Sequence, residues 1–207
     1  MIERLLKSLE DKDLKELVKG GSVSFFLRFG GLFLGYVLTL VIANLFGAKG
    51  LGDYVLAITV LSLFTLIAKI GLDTTSIRFI ASFASQEKWT SIAHFRKQAI
   101  IILSCTSIFA SLMMYFFANP IATLINANPK YIQLNACFVL PFTFFMFHYQ
   151  NLRGLKRIAE FSFFYRVSQS LFAIISILII YQFNQESEVP IYAYIISIMI
   201  VSFLSFL

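Results

Sequence analysis

The stretch SVSFFLRFGGLFLGYVLTLVIANLF, residues 22–46, decides the fold. Apart from Arg28, it contains apolar, small and uncharged polar side chains. An α-helix needs about 20 mostly apolar residues to cross a hydrocarbon core about 30 Å thick. The stretch therefore predicts a membrane-spanning helix.

Five more apolar stretches of spanning length follow it along the chain. They cover residues 54–84, 98–118, 131–152, 159–182 and 190–207. The sequence therefore predicts an all-α fold, an integral membrane bundle of six helices formed by residues 22–207. Apolar residues at helical spacing before it predict an amphipathic arm over residues 1–21, lying at the cytoplasmic membrane interface.

The composition supports an integral membrane protein and excludes several other classes. The chain is 58% hydrophobic and 14% charged, with a mean hydropathy of +0.81. The net charge of +6 is spread over several loops, so we expect a phospholipid bilayer rather than a nucleic acid as the partner of these cations. The sequence has no nucleophile elbow, phosphate-binding glycine loop or zinc-ligand pair, so we expect neither an enzyme nor a cofactor.

The basic residues alternate between rich and poor connections. The rich connections, which follow the second and fourth stretches, hold Arg78, Lys88, Arg96, Lys97, Arg153, Lys156 and Arg157. The poor connections hold Lys49 and Lys130. Because basic loops stay on the cytoplasmic side, we expect a multi-pass protein of the inner (cytoplasmic) membrane with its N-terminus in the cytoplasm.

Four ionisable residues from three of the predicted spans are of interest because of their depth in the membrane, namely Arg28, Lys69, Asp73 and Arg166. The rise of about 1.5 Å per residue places all four at a similar depth near the cytoplasmic side. Lys69 and Asp73 are four residues apart and can pair, although Asp73 could instead carry a coupling proton or sodium ion. Pairing would leave Arg28 and Arg166 uncompensated.

This arrangement suggests a cationic cavity open to the cytoplasm, with Arg28, Arg166 and Lys69 as substrate-binding residues. Arginine suits an anionic head group such as a sugar-linked pyrophosphate. Gly30, Gly31 and Gly35 would let a neighbouring helix approach Arg28 closely. The alternative is that each arginine reaches separately to the membrane interface.

Two features predict interruptions of the helices. Three glycines between residues 47 and 54 predict a tight antiparallel hairpin on the outer side. Pro141 lies in the middle of the fourth stretch, where its missing N–H predicts a kink.

Several stretches resemble the oligosaccharide flippase, or polysaccharide exporter, family of the multidrug/oligosaccharidyl-lipid/polysaccharide exporter superfamily. They are Gly21-Ser22, residues 28–30, 40–48 and 52–54, Gly71-Leu-Asp73, residues 77–81 and residues 152–157. The chain departs from the family pattern at Asn44, where members often have a basic residue.

The resemblance implies one lobe, the N-terminal half, of a MATE-like transporter with 12 to 14 helices. Because the last stretch has no polar stop, we expect a truncated chain. The implied function is translocation of an undecaprenyl-diphosphate-linked anionic oligosaccharide, with a polysaccharide polymerase or glycosyltransferases as further partners. Arg78 and Arg153 would then belong to the cytoplasmic gate or loops.

Three alternatives remain open. A multidrug or cation antiporter of the same superfamily would prefer acidic residues in its cavity. A non-transporting membrane partner of the polysaccharide assembly machinery would need no cavity, and a membrane-bound glycosyltransferase would need a larger polar loop.

Overall fold

The structure is a computed structural model that describes the backbone of residues 12–206 and the side chains of residues 21–205. The first eleven residues of the predicted amphipathic arm lie outside the described residues. The described part of the chain is helical and contains no β-strand. Its helices are α1 (Lys12–Lys69), α2 (Leu72–Ser85), α3 (Trp89–Phe116), α4 (Ala118–Ile125), α5 (Pro129–Ala136), α6 (Val139–Gly154), α7 (Ile158–Ser162), a π-helical segment (Phe163–Ser168), α8 (Gln169–Tyr181) and α9 (Val189–Phe206).

Helix α1 contains one sharp bend, at Gly47. Its φ of 69° and ψ of −173° are non-helical, and glycine tolerates them because it lacks a Cβ. A Cβ placed on Gly50 would lie 2.6 Å from the Cβ of Phe46, far closer than in a straight helix. The predicted turn therefore lies at its expected position, but a single non-helical residue makes it and residues 48–54 stay helical.

The second predicted span, residues 54–84, is divided into two helices. Ile70 and Gly71 separate α1 from α2 and have φ values of 47° and 74°. A left-handed backbone cannot continue a right-handed helix, and glycine adopts it without a steric penalty. The apolar pattern alone does not reveal this break.

The fourth predicted span, residues 131–152, is also divided. Helices α5 and α6 meet at an angle of 54°, at Cys137 and Phe138. Pro141 has no N–H to donate to the carbonyl of residue 137, so the helix is weakened one turn before the proline. The kink predicted from Pro141 is therefore confirmed.

Three described helical stretches are long and apolar enough to cross a membrane. They are Gly21–Lys69, Trp89–Phe116 and Ile158–Tyr181, and the bent pair α5–α6 is a fourth if it is taken as one span. The count of six spans stays a prediction.

Contacts between the helices define two ends of the bundle. At the end called the Gly47 end, the carbonyl of Ser187 lies 3.6 Å from a Cβ placed on Gly50, and Lys130 pairs with Glu188 at 3.3 Å. At the Gly154 end, a Cβ placed on Gly154 would lie 3.1 Å from Ile80. The Ser24 and Ser162 hydroxyls hydrogen-bond there at 3.0 Å.

Apolar side chains fill the interior and also cover much of the outside. The largest buried cluster joins α1, α3, α5, α6 and α9 through residues such as Leu61, Met114, Ile132, Val139 and Ile198. Large apolar side chains on the surface include Phe26, Leu66, Phe116, Phe203 and Leu124. An apolar exterior of this extent matches hydrocarbon rather than water.

Candidate functional site

A buried ion pair spans the break between α1 and α2. The Nζ of Lys69 lies 2.8 Å from Oδ2 of Asp73, and the two side chains are 12% and 13% exposed. The predicted pairing is confirmed, although it was expected from the four-residue spacing on one continuous helix. Lys69 ends α1 and Asp73 lies in the first turn of α2, so the turn at Ile70 and Gly71 brings them together.

Gly31 is the point where α1 meets the π-helical segment. A Cβ placed on Gly31 would lie 2.6 Å from the carbonyl oxygen of Arg166 and 2.8 Å from its Cβ. Because glycine alone fits there, the close approach predicted from the three glycines is made by Gly31. A Cβ on Gly30 or Gly35 would meet nothing within 4 Å.

Arg166 belongs to the π-helical segment and not to a regular α-helix. A π-helical turn inserts an extra residue into each turn, so it shifts the directions of the side chains that follow, and it occurs often at functional sites. Arg28 lies one turn before Gly31 on α1 and is exposed. The structure thus brings the backbone beside Arg28 against the segment that carries Arg166.

Two arginines and two aromatic rings form a row that we call the arginine–aromatic ladder. The guanidinium of Arg166 lies 4.4 Å from the ring centre of Tyr165. The Tyr165 ring stacks on Phe161 at 5.4 Å and 15°, and the Arg153 guanidinium lies 5.5 Å from Phe161. Cation–π attraction and ring stacking therefore hold both guanidinium groups in place.

Tyr149 of α6 connects the ladder to the ion pair. Its ring contacts Tyr165 at 5.4 Å and Phe161 at 5.9 Å. The buried Tyr149 hydroxyl lies within electrostatic range of both Asp73 and Arg166. Groups from α1, α2, α6, α7 and the π-helical segment therefore meet at the Gly154 end.

The arginines of this site keep their hydrogen-bond donors available. Within residues 21–205, no hydrogen bond or ion pair engages the guanidinium groups of Arg28, Arg153 or Arg166. Asp73, in contrast, is neutralised by Lys69. The site can therefore accept an anionic ligand through up to five N–H donors per arginine.

Arg78 lies on the exposed face of α2. Together with Thr74, Thr75, Phe79 and Ser82 it lines an open groove of about 600 Å³. Among the described residues, no hydrogen bond, ion pair or cation–π contact joins Arg78 to the ladder. Its predicted role in a gate remains a prediction.

The two ends of the bundle differ in charge. The described basic side chains toward the Gly154 end are Arg28, Lys69, Arg78, Lys88, Arg96, Lys97, Arg153, Lys156, Arg157 and Arg166, and the acidic ones are Asp73, Glu87 and Glu160. The Gly47 end has Lys49 and Lys130 against Asp53, Glu186 and Glu188. Positive charge is therefore concentrated at the end that contains the ladder.

The aromatic members of the site were missed by sequence reasoning. Phe161 and Tyr165 are four residues apart, so helical spacing alone could have paired them. Tyr149 comes from another helix, and Arg166 is aimed by the π-helical segment. Neither feature has a signal in the apolar pattern.

The fold and site together define a multi-pass helical membrane protein with a cation-rich end. The family model described as MatE matches residues 25–162, more than half of the chain. The chain therefore belongs to the MatE family, whose members are membrane transporters and not enzymes. No curated protein and no solved structure matches the chain.

Proposed function

We propose that this chain takes part in moving a lipid-linked oligosaccharide across the cytoplasmic membrane for polysaccharide biosynthesis. The carrier would be undecaprenyl diphosphate, and the Gly154 end would face the cytoplasm, where such a substrate is assembled. The concentration of basic residues at that end supports this orientation.

The observation that carries the proposal is the arginine–aromatic ladder. Arg153 and Arg166 are held on stacked rings with their donors unused by other described side chains. A diphosphate presents oxygens that arginine binds bidentately, and a preorganised guanidinium loses little entropy when it does so. The paired Asp73 adds no uncompensated negative charge to repel the ligand.

The ladder would also lower the cost of bringing charge to the membrane. A diphosphate is expensive to place near hydrocarbon unless cations neutralise it. Ligand oxygens would replace water on the two guanidinium groups while the lipid tail stayed in the bilayer. Transport would then proceed by alternating access, with the site opening to each side in turn.

A second candidate is a multidrug or cation antiporter of the same superfamily. The observation that favours it is the position of Asp73, a buried carboxylate that Lys69 could release to a cation or a proton. A non-transporting partner of a polysaccharide polymerase or of glycosyltransferases is a third reading. These three functions predict different results in measurements of flipping, drug export and co-purification.

The assay would measure flipping of a fluorescent polyprenyl-diphosphate oligosaccharide in proteoliposomes. We expect the wild type to flip it, and Arg166→Gln to slow the initial rate by roughly tenfold or more, because a charged hydrogen bond to the diphosphate is lost. Arg157→Gln is the matched control. Its guanidinium pairs with Glu160 at 2.6 Å, on the exposed surface of the same end, so its rate should stay near that of the wild type.

Other outcomes would favour the other candidates. Export of cationic drugs without flipping would support the antiporter. Activity of neither kind, together with co-purification of a glycosyltransferase or polymerase, would support the assembly partner. Equal flipping rates for Arg166→Gln and the wild type would show that the arginine–aromatic ladder does not bind the substrate.

A further inference from the structure

A second groove lies on the outer face of α3, separate from the ladder and from the groove beside Arg78. It has a volume of about 370 Å³ and is lined by Ala93, Arg96, Lys97, Ile100 and Ile101. We call it the α3 groove. All five residues come from one helix, so the groove is open along its length.

The lining residues form a strip that changes character along the helix. Spacings of three and four residues place Ala93, Arg96 and Ile100 on one face of α3, with Lys97 and Ile101 beside them. Arg96 and Lys97 are exposed, and Ile101 is 56% exposed. Two cations are therefore followed, one turn further along, by two apolar side chains.

The strip crosses the boundary between polar and apolar surroundings. Trp89 begins α3 and is 60% exposed, as expected for a tryptophan at a membrane interface. The segment from Ala99 to Phe116 has no charged residue. A rise of about 1.5 Å per residue places Arg96 about 10 Å beyond Trp89, where a long basic side chain can reach the head groups.

The two cations have no acidic partner within residues 21–205. The buried His148 of α6 lies within electrostatic range of Arg96, and like His94 of α3 it supplies no negative charge. Two unpaired cations beside an apolar strip are complementary to an anionic lipid, whose negative head group is followed by an apolar chain.

We propose that the α3 groove binds an anionic phospholipid. Its phosphate contacts Arg96 and Lys97, its first methylene groups lie on Ile100 and Ile101, and the small side chain of Ala93 leaves room for the head-group alcohol on the polar side of the phosphate. A soluble anion would use the cations alone, whereas the observed order of cations and isoleucines matches a head group followed by a chain.

The test is titration of the purified full chain with phospholipids, followed by native mass spectrometry. The probes are phosphatidylglycerol as the anionic lipid and phosphatidylcholine as the zwitterionic one. We expect tighter binding of phosphatidylglycerol, weakened roughly tenfold or more in Arg96→Gln/Lys97→Gln, because each interfacial cation contributes to anionic lipid affinity. The control Lys88→Gln/Lys156→Gln removes the same charge from exposed positions at the same end and should stay within about twofold of the wild type.

A second variant separates the shape of the groove from its charge. Ala93→Trp keeps both cations and fills the groove, so it should also weaken phosphatidylglycerol binding. Thermal melting in detergent checks that each variant is folded. The proposal is wrong if the wild type binds both lipids equally, if either groove variant binds like the control, or if inorganic phosphate displaces the lipid at comparable concentration. None of these readouts depends on transport.

Discussion

At the scale of single residues, Gly31 is the clearest requirement of the site. A Cβ placed on Gly31 would clash with the Arg166 backbone. A Cβ placed on the adjacent Gly30 would meet nothing within 4 Å. Both lie in the same helix, so helix propensity is the same for each. Comparing alanine substitutions at Gly30 and Gly31 therefore separates the effect of packing on stability from that of helix propensity.

We predict that Gly31→Ala destabilises the protein by about 1–3 kcal/mol, because the added methyl group must push backbone away. Gly30→Ala should be neutral or slightly stabilising, because alanine favours a helix over glycine. Thermal unfolding in detergent measures both. A Gly31→Ala variant as stable as Gly30→Ala would contradict the close approach of α1 to the π-helical segment.

Lys69 and Asp73 form the second residue-scale test. Removing one member of a buried ion pair leaves an uncompensated charge and costs about 3–5 kcal/mol, whereas replacing both with apolar residues costs less. We predict that Lys69→Met and Asp73→Leu each lower the stability more than Lys69→Met/Asp73→Leu. A double-mutant cycle from unfolding midpoints checks this, and additive effects would show that the pair is not coupled.

At the scale of elements, Glu188 ties the start of α5 to the start of α9 at the Gly47 end. Its carboxylate accepts hydrogen bonds from Lys130 at 3.3 Å, from the Tyr131 hydroxyl at 3.3 Å and from the Tyr192 hydroxyl at 3.0 Å. Burial by itself raises the pKa of Glu188, but the hydrogen bonds from Tyr192 and Lys130 outweigh it and lower the pKa below the ordinary value.

A lowered pKa in the folded state gives this contact a defined dependence on pH. Its stabilising contribution is complete above the ordinary pKa of a glutamate, about 4.3, and is lost as the pH falls through the lower folded value. We predict that amides near residues 184–190 lose protection against hydrogen exchange below about pH 4, measured relative to the intrinsic exchange rate at each pH. Glu188→Gln should remove that change, and an unchanged acid response in this variant would exclude Glu188 as the cause.

The breaks between helices differ in how far the sequence predicts them. Pro141 was sufficient to predict a kink, because a proline leaves one carbonyl without its donor wherever it lies in a helix. The break at Ile70 and Gly71 was not predictable, because isoleucine normally avoids a positive φ. Both residues are exposed, and a Cβ placed on Gly71 would meet nothing within 4 Å, so no contact of their side chains accounts for the break.

At the scale of the whole molecule, the charge difference between the two ends predicts the orientation. Cysteines introduced by Thr90→Cys and Lys156→Cys should react with an impermeant thiol reagent only after the cells are opened. Lys49→Cys and Glu186→Cys should react in intact cells, because they lie at the end with few basic residues. Cys105 and Cys137, both exposed, are replaced by serine beforehand. Labelling of position 90 or 156 from outside would reverse the proposed orientation.

The charged residues show how far the sequence alone determined the site. The Lys69–Asp73 pair follows from their spacing and the cost of burying a lone charge, and the cation-rich end follows from the loops. The positions of Arg153 and Arg166 do not, because they depend on the placement of the Phe161 ring of α7 and the Tyr165 ring of the π-helical segment.

The sequence by itself determined that this chain is helical, apolar and suited to a membrane, because hydrocarbon requires long apolar segments with satisfied backbone groups. It also determined which end is basic, because charge is a property of composition and order. The tertiary structure alone decided the break at Ile70 and Gly71, which glycine is essential and which aromatic rings hold the arginines. Those features depend on the local backbone conformation and on contacts between different helical segments, and neither has a period that the apolar pattern can show.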